Sequence, residues 1–157
     1  MSWLNCRTTN HHCLWLFDLF MVKEIDDTSI TNCEGLLRRI PNWPNMYKFD
    51  QNTKKFRPTS ALFSDRDKGY KLSVTLEKPL LDSGEDHHKA THKIGFGLAK
   101  IIAGFVRTEI TPNQIIQRSP TSEDPHHGLV IGEKNKSTRR ALAKHAEIII
   151  DPKTEID

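Results

Sequence analysis

The sequence predicts an α+β domain: a mostly antiparallel sheet, or a small partly closed barrel, with one helix near the C-terminus. Three stretches predict it. Gly128-Leu-Val-Ile-Gly132 is a short apolar run between glycines, preceded by a polar Ser-Glu-Asp-Pro turn, which is how a buried strand reads. Lys71 to Glu77 alternates as KLSVTLE, placing Leu72, Val74 and Leu76 on one face of a half-buried strand. After a tight basic connection, Ser137 or Thr138 can N-cap a helix. Its Ala141, Leu142, His145, Ala146 and Ile149 then fall on one face, with Arg140, Lys144 and Glu147 on the other.

The remaining elements follow in chain order. Leu36, Leu37 and Ile40, interleaved with Arg38 and Arg39, read as a strand that Pro41 ends. Met46 to Arg57 alternates rings with cations through Tyr47, Lys48, Phe49, Lys54, Lys55, Phe56 and Arg57. These residues suit an amphipathic hairpin turning at Asp50-Gln-Asn-Thr53. Asp65 to Gly69 supplies a turn, and Pro79 to Ala90 reads as a polar loop. Gly95 to Arg107 reads as a strand through about Ala103 followed by one helical turn, and Gln114 to Gln117 as a short strand.

With 157 residues the chain has the length of one domain with a single sizeable core. The expected organisation is an N-terminal extension over 1–32, a single domain over 33–150 and an acidic tail over 151–157. Met1 to Phe20 holds two of the three Trp and two of the three Cys. It reads as a docking arm, a disordered extension, or residues upstream of a start at Met21. Leu14 to Val22 is too short, and too interrupted by Asp18, to span a bilayer, and no signal-peptide pattern precedes it. Cys6, Cys13 and Cys33 fit no zinc spacing, so reduced thiols in the cytoplasm are expected. Asn10-His-His-Cys13 could bind a metal in principle, but adjacent histidines in such a tail are more often incidental, and His87 with His88 and His92 lack a carboxylate or cysteine placed to complete a metal site. No metal or cofactor is therefore expected.

The formal net charge of +3 is too small to mark a nucleic-acid binder by itself, so clustering decides. Glu133 to His145 carries Lys134, Lys136, Arg139, Arg140 and Lys144 against one acid. Cations at a helix start oppose its dipole, at a cost of a few tenths of a kcal/mol each, and a bound anion would reverse that penalty. The P-loop spacing is absent. In the hairpin, rings interleaved with cations match what a single-stranded nucleic acid requires, a face for each base and an anchor for each phosphate. The expected ligand residues are thus Arg38, Lys134, Lys136, Arg139, Arg140, Lys144, Tyr47, Lys54, Lys55 and Arg57.

His127, Arg39 and Ser60 are the candidate catalytic residues. A histidine beside cations can move a proton on a phosphodiester while arginine steadies the developing charge, as in a metal-independent ribonuclease. Arginine on a first strand with serine on a later one also resembles ADP-ribosyltransferase architecture, although no acidic residue is placed to finish it. The functional expectation is binding, extending to cleavage, of RNA or another phosphate-bearing ligand, with single-stranded RNA foremost. The alternative is a non-catalytic protein-interaction subunit of a bacterial multigene system, defensive or toxin-like, using the N-terminal arm or the acidic tail from Glu147 to Asp157.

A family resemblance adds to this reading. Leu37-Arg-Arg-Ile40, Arg57-Pro-Thr-Ser-Ala-Leu-Phe63, Leu72-Ser-Val74, Gly95-Phe-Gly97, Ala103-Gly-Phe-Val-Arg107 and Asp124 through Lys134 resemble the pattern of a family of small uncharacterised bacterial proteins. The resemblance covers roughly Glu34 to Ile149. Where that pattern has Pro-x-His-Ala, this chain has Pro125-His-His-Gly128, so His127 is the matching histidine and Gly128 replaces the small residue. The resemblance implies one compact domain and no particular activity.

Overall fold

The structure, a computed structural model, describes residues 24–64 and 70–152. The N-terminal arm with Cys6, Cys13 and Asn10-His-His-Cys13, the turn at Asp65 to Gly69, and the last five residues of the tail lie outside the described residues.

Short polar connections between alternating apolar runs give neighbouring strands that reverse direction. β1 (Gly35–Ile40), β4 (Lys71–Leu76), β5 (Gly97–Ile102), β6 (Ile115–Arg118), β7 (His127–Ile131) and β8 (Glu147–Ile150) form one six-stranded sheet in the order β6-β7-β4-β1-β5-β8. Every pairing in it is antiparallel. β6 and β8 stand at opposite ends, so the sheet is open and the chain is α+β rather than a closed barrel. β2 (Tyr47–Asp50) and β3 (Lys55–Pro58) make a separate hairpin. Among the described residues three helices complete the fold: α1 (Glu77–Asp82), α2 (Ala103–Thr108) and the C-terminal α3 (Lys136–His145). None of the helices among the described residues is long and apolar enough to cross a membrane.

The two-residue period of the strands divides the side chains between two faces. On one face Leu36, Ile40, Leu72, Val74, Leu76, Ala99, Ile101, Ile116 and Val130 meet Tyr47 of the hairpin, Leu62 and Phe63 of the 3-10 turn Ser60–Phe63, Val106 of α2 and Leu142 of α3. On the other, Leu37 and Leu98 meet Leu80 of α1 and Ala90 of the 3-10 turn His87–Thr91 in a smaller core. Residues ahead of β1 belong to this structure as well. Ile30 is fully buried, and Asp27 N–H donates to the Ile116 carbonyl at 2.8 Å while Asp26 Oδ1 accepts from Ile116 N–H at 2.8 Å.

Three local expectations are corrected. Asn135, not Ser137 or Thr138, caps α3, its side chain accepting from Thr138 N–H at 2.9 Å. Thr138 is instead turned inward, where its hydroxyl donates to the Thr111 carbonyl at 2.8 Å. The helix stops at His145, because Ile148, Ile149 and Ile150 are β-branched and the edge of β5 accepts them as β8. The stretch from Pro79 to Ala90 is not a loop throughout. Pro79 lies in the first turn of α1, where no backbone donor is missed.

Glu77, at the start of α1, crosses back to the sheet. Its carboxylate receives Lys100 Nζ at 2.7 Å and 2.8 Å and lies 2.8 Å from His87 Nε2. Gly35 makes the approach feasible, since a Cβ there would stand 2.1 Å from Glu77 Oε2. Burial pushes the Glu77 carboxyl up, but hydrogen bonds from Lys100 and His87, with their charges, outweigh it and hold the group below the ordinary glutamate range. A depressed carboxyl stabilises the fold above its unfolded pKa, and that stabilisation is lost as pH falls through the folded value. Lys100→Met should therefore lower the urea midpoint at neutral pH, and the gap from wild type should close only as pH falls below the ordinary glutamate range and through the depressed folded pKa of Glu77. Urea titrations across that range check this.

Candidate functional site

Opposite pairing in the hairpin sets what it presents. Lys48 faces Arg57 and Phe49 faces Phe56 across the two strands, so one side carries cations and the other rings. Tyr47 is buried in the core and its hydroxyl lies 2.9 Å from Asn42 Oδ1, so it is not a stacking surface. Phe49 is 44% exposed and packs edge-on against Phe56 with centroids 5.3 Å apart. Lys54 and Lys55 stand at the turn end, where Lys54 adopts a left-handed backbone (φ 56°) that tightens the turn.

α3 lies against the hairpin and the 3-10 turn because Leu142 enters the main core with Ala141, Ala143 and Ala146 packed around it. Arg140 and Lys144, one turn apart and exposed, thereby come alongside β2 and β3. Between them runs a cleft of about 370 Å³ lined by Lys48, Arg57, Thr59, Ser60, Arg140 and Lys144, together with Pro58, Ala143 and Ala146. No carboxylate lines it. Arg57, Lys144 and Ala146 also border a groove of about 630 Å³ that holds Phe49, Lys54, Lys55 and Phe56, so the two spaces form one trough. Acids enter only in the groove, as Asp50, Glu147 and Asp151. Asp50 is also 3.5 Å from Arg57 Nε.

The other expected ligand residues are placed elsewhere. Lys134 is buried and donates to the carbonyls of Tyr70, Val130 and Gly132 at 2.9, 3.0 and 2.9 Å, tying the end of β7 to β4's approach. Arg38 is half-buried, and donates to the carbonyls of Leu62 at 3.3 Å and Ser73 at 2.9 Å, clamping the 3-10 turn onto the sheet. Arg139 reaches Ser64 Oγ at 3.4 Å, while Lys136 is exposed. The basic residues therefore do not converge on the start of α3, whose Thr138 N–H is already bonded to Asn135.

Nor do the three catalytic candidates meet. Ser60 lines the cleft, in the layer packed on the main core. Arg39 and His127 lie on the opposite face of the sheet, where with Leu37, Ser73, Thr75 and Asp124 they border a narrow crevice across β1, β4 and β7. His127 Nδ1 is 2.7 Å from the Ser119 carbonyl, which can only accept, so the ring proton is on Nδ1 and Nε2 is the acceptor in the neutral ring. Asp124 accepts from the Thr75 hydroxyl at 2.7 Å and from His126 N–H at 2.9 Å, and lies 3.5 Å from His92 Nε2.

Sequence reasoning did not single out Ser73, Thr75 or Asp124, and it weighed His92 only with His87 and His88 as a metal question. The signal for the first two was available, because the polar positions of KLSVTLE must face away from its leucines. Asp124 and His92 come from separate connections, and no periodicity links them to β4.

Comparison with known proteins yields no matching family model, curated protein or solved structure.

The distinct placements separate stability from binding. Lys134→Met should leave three inward carbonyls without their donor and cost on the order of 2–3 kcal/mol, read as a lower urea midpoint, while leaving the trough intact below the transition.

Proposed function

We propose that the trough between the β2–β3 hairpin and α3 binds single-stranded RNA or a closely similar phosphate-bearing chain. One observation carries this reading. Lys48 and Arg57 of the hairpin and Arg140 and Lys144 of the helix, far apart in sequence, line one cleft without a carboxylate among them. Of the four only Arg57 has a carboxylate nearby among the described residues, Asp50 at 3.5 Å, so the cations repel one another, and a polyanion relieves that repulsion by releasing its condensed counterions. Phe49 supports a single strand in particular. Its exposed ring borders the continuation of the trough, where a base can stack while its phosphates follow the cations. The sheet stands between this trough and the Arg39–His127 crevice, so the reading is one of binding without cleavage there.

Labelled single-stranded RNA titrated at several salt concentrations tests it. Four phosphates neutralised on a single strand predict a log–log salt slope of about −3, and Arg140→Ala/Lys144→Ala should reduce it to about −1.5. Phe49→Ala should weaken binding by about 1–3 kcal/mol and leave the slope unchanged, since a ring carries no counterion. Absence of binding at low salt, or a slope unaltered by the double substitution, would remove the reading.

A further inference from the structure

A second polar site lies on the opposite face of the sheet, independent of the trough. β1, β4 and β7 are adjacent, and their register puts Leu37 opposite Thr75 and Thr75 opposite His127. Two residues along, Arg39 and Ser73 follow on the same face. Among the described residues the Arg39 guanidinium, the Ser73 hydroxyl and His127 Nε2 make no hydrogen bond or ion pair, although all three residues are half-buried at the crevice. Each keeps some contact with water, which a ligand can replace, whereas their neighbours are satisfied within the protein: Thr75 is committed to Asp124, and Asp124 is further held by His126 N–H and faces His92. Three unused groups of complementary chemistry on three neighbouring strands are what a small ligand would occupy.

We propose that Arg39, Ser73 and His127 bind a phosphate group that retains one proton, inorganic hydrogen phosphate being its simplest form. Arg39 contributes the positive charge and a planar fork of donors, and Ser73 a further donor. His127 differs in kind. With its proton fixed on Nδ1 by Ser119, the neutral ring offers Nε2 as an acceptor, so its partner must bring a hydrogen. A tetrahedral oxyanion directs separate oxygens to separate strands, whereas a carboxylate has only two oxygens, both suited to the arginine alone. Asp124 sets the charge limit: a carboxylate at the same crevice disfavours a fully deprotonated anion and favours one carrying a proton. The crevice as it stands has no room for a water molecule, so the ion enters only as the Arg39 side chain, which makes no hydrogen bond or ion pair among the described residues, swings outward.

The test uses the whole chain with histidine ring nitrogens labelled and the His127 signal assigned by His127→Gln. Near neutral pH inorganic phosphate carries a proton and sulfate carries none, so the two probes differ in the feature that Nε2 requires. Phosphate should shift the His127 Nε2 resonance saturably, and sulfate at equal ionic strength should bind about tenfold more weakly or worse. Arg39→Gln should abolish the titration and Ser73→Ala should weaken it, each with an unchanged thermal transition, while Arg140→Ala/Lys144→Ala should leave it as in wild type. Equal responses to phosphate and sulfate, no response to phosphate, or a wild-type titration in Arg39→Gln would overturn the proposal.

Discussion

The six-residue pairing of β1 with β5, from Gly35 opposite Ile102 to Ile40 opposite Gly97, is the constraint on which both candidate sites depend. Side chains alternate along a strand, so this register sends Leu36, Arg38 and Ile40 to one face and Leu37 and Arg39 to the other. A slip by one residue would exchange the two arginines. Arg38 would lose the Leu62 and Ser73 carbonyls that its guanidinium now serves, and Arg39 would be driven toward the main core. Leu36 and Ile40, both fully buried, make such a slip costly, since each would leave the larger core at roughly 1.5–3 kcal/mol. The identity of the arginine at each site is therefore decided by leucine and isoleucine.

How far this was legible varies with the range of the interaction. Leu72, Val74 and Leu76, the Gly128–Gly132 run and the change from strand to helix after Ile102 are local patterns, and the corresponding elements are present. The hairpin over Tyr47 to Pro58 belongs with them. Ile148 to Ile150 illustrate the opposite case. Their spacing from Ala141 and Leu142 satisfies a helical face, yet the open edge of β5 competes for them and β-branched side chains favour the strand. The basic stretch from Lys134 to Lys144 fails for a related reason. Charge counting treats its cations alike, while the fold buries Lys134, turns Arg139 toward Ser64 and leaves Arg140 and Lys144 beside the hairpin. Which cation meets the ligand depends on helix orientation, which Leu142 determines and a count of charges cannot.

The trough also shows why its charges persist. Lys78 pairs with Asp82, Lys71 with Glu24 and Lys100 with Glu77, so several cations elsewhere on the surface have acidic partners within reach. In the cleft, Arg57 alone is drawn toward a carboxylate, Asp50, and that group belongs to the adjoining groove. Crowding Lys48, Arg57, Arg140 and Lys144 together opposes folding through like-charge repulsion, yet each is exposed enough for water and salt to screen most of the cost. Such an arrangement costs little when empty and leaves a positive potential that is strongest at low ionic strength.

Separation of the two faces follows from how each is covered. The main core takes the hairpin, the Ser60–Phe63 turn and α3, so the trough forms where these coverings meet, well away from the backbone of the sheet. The opposite face is covered by α1 and the His87–Thr91 turn over β1 and β5, with the Glu77–Lys100–His87 contacts tying cover to sheet. Beyond that cover, toward β4 and β7, Ser73, Thr75 and His127 face out together with Leu129, and Asp124 folds back over the Thr75 hydroxyl. A sheet covered on one half of a face leaves a step at the edge of the covering, and polar side chains at such a step are partly desolvated without being sealed. That condition lets a small anion compete with water for Arg39 and Ser73, because the protein has already removed part of the water that would otherwise solvate them.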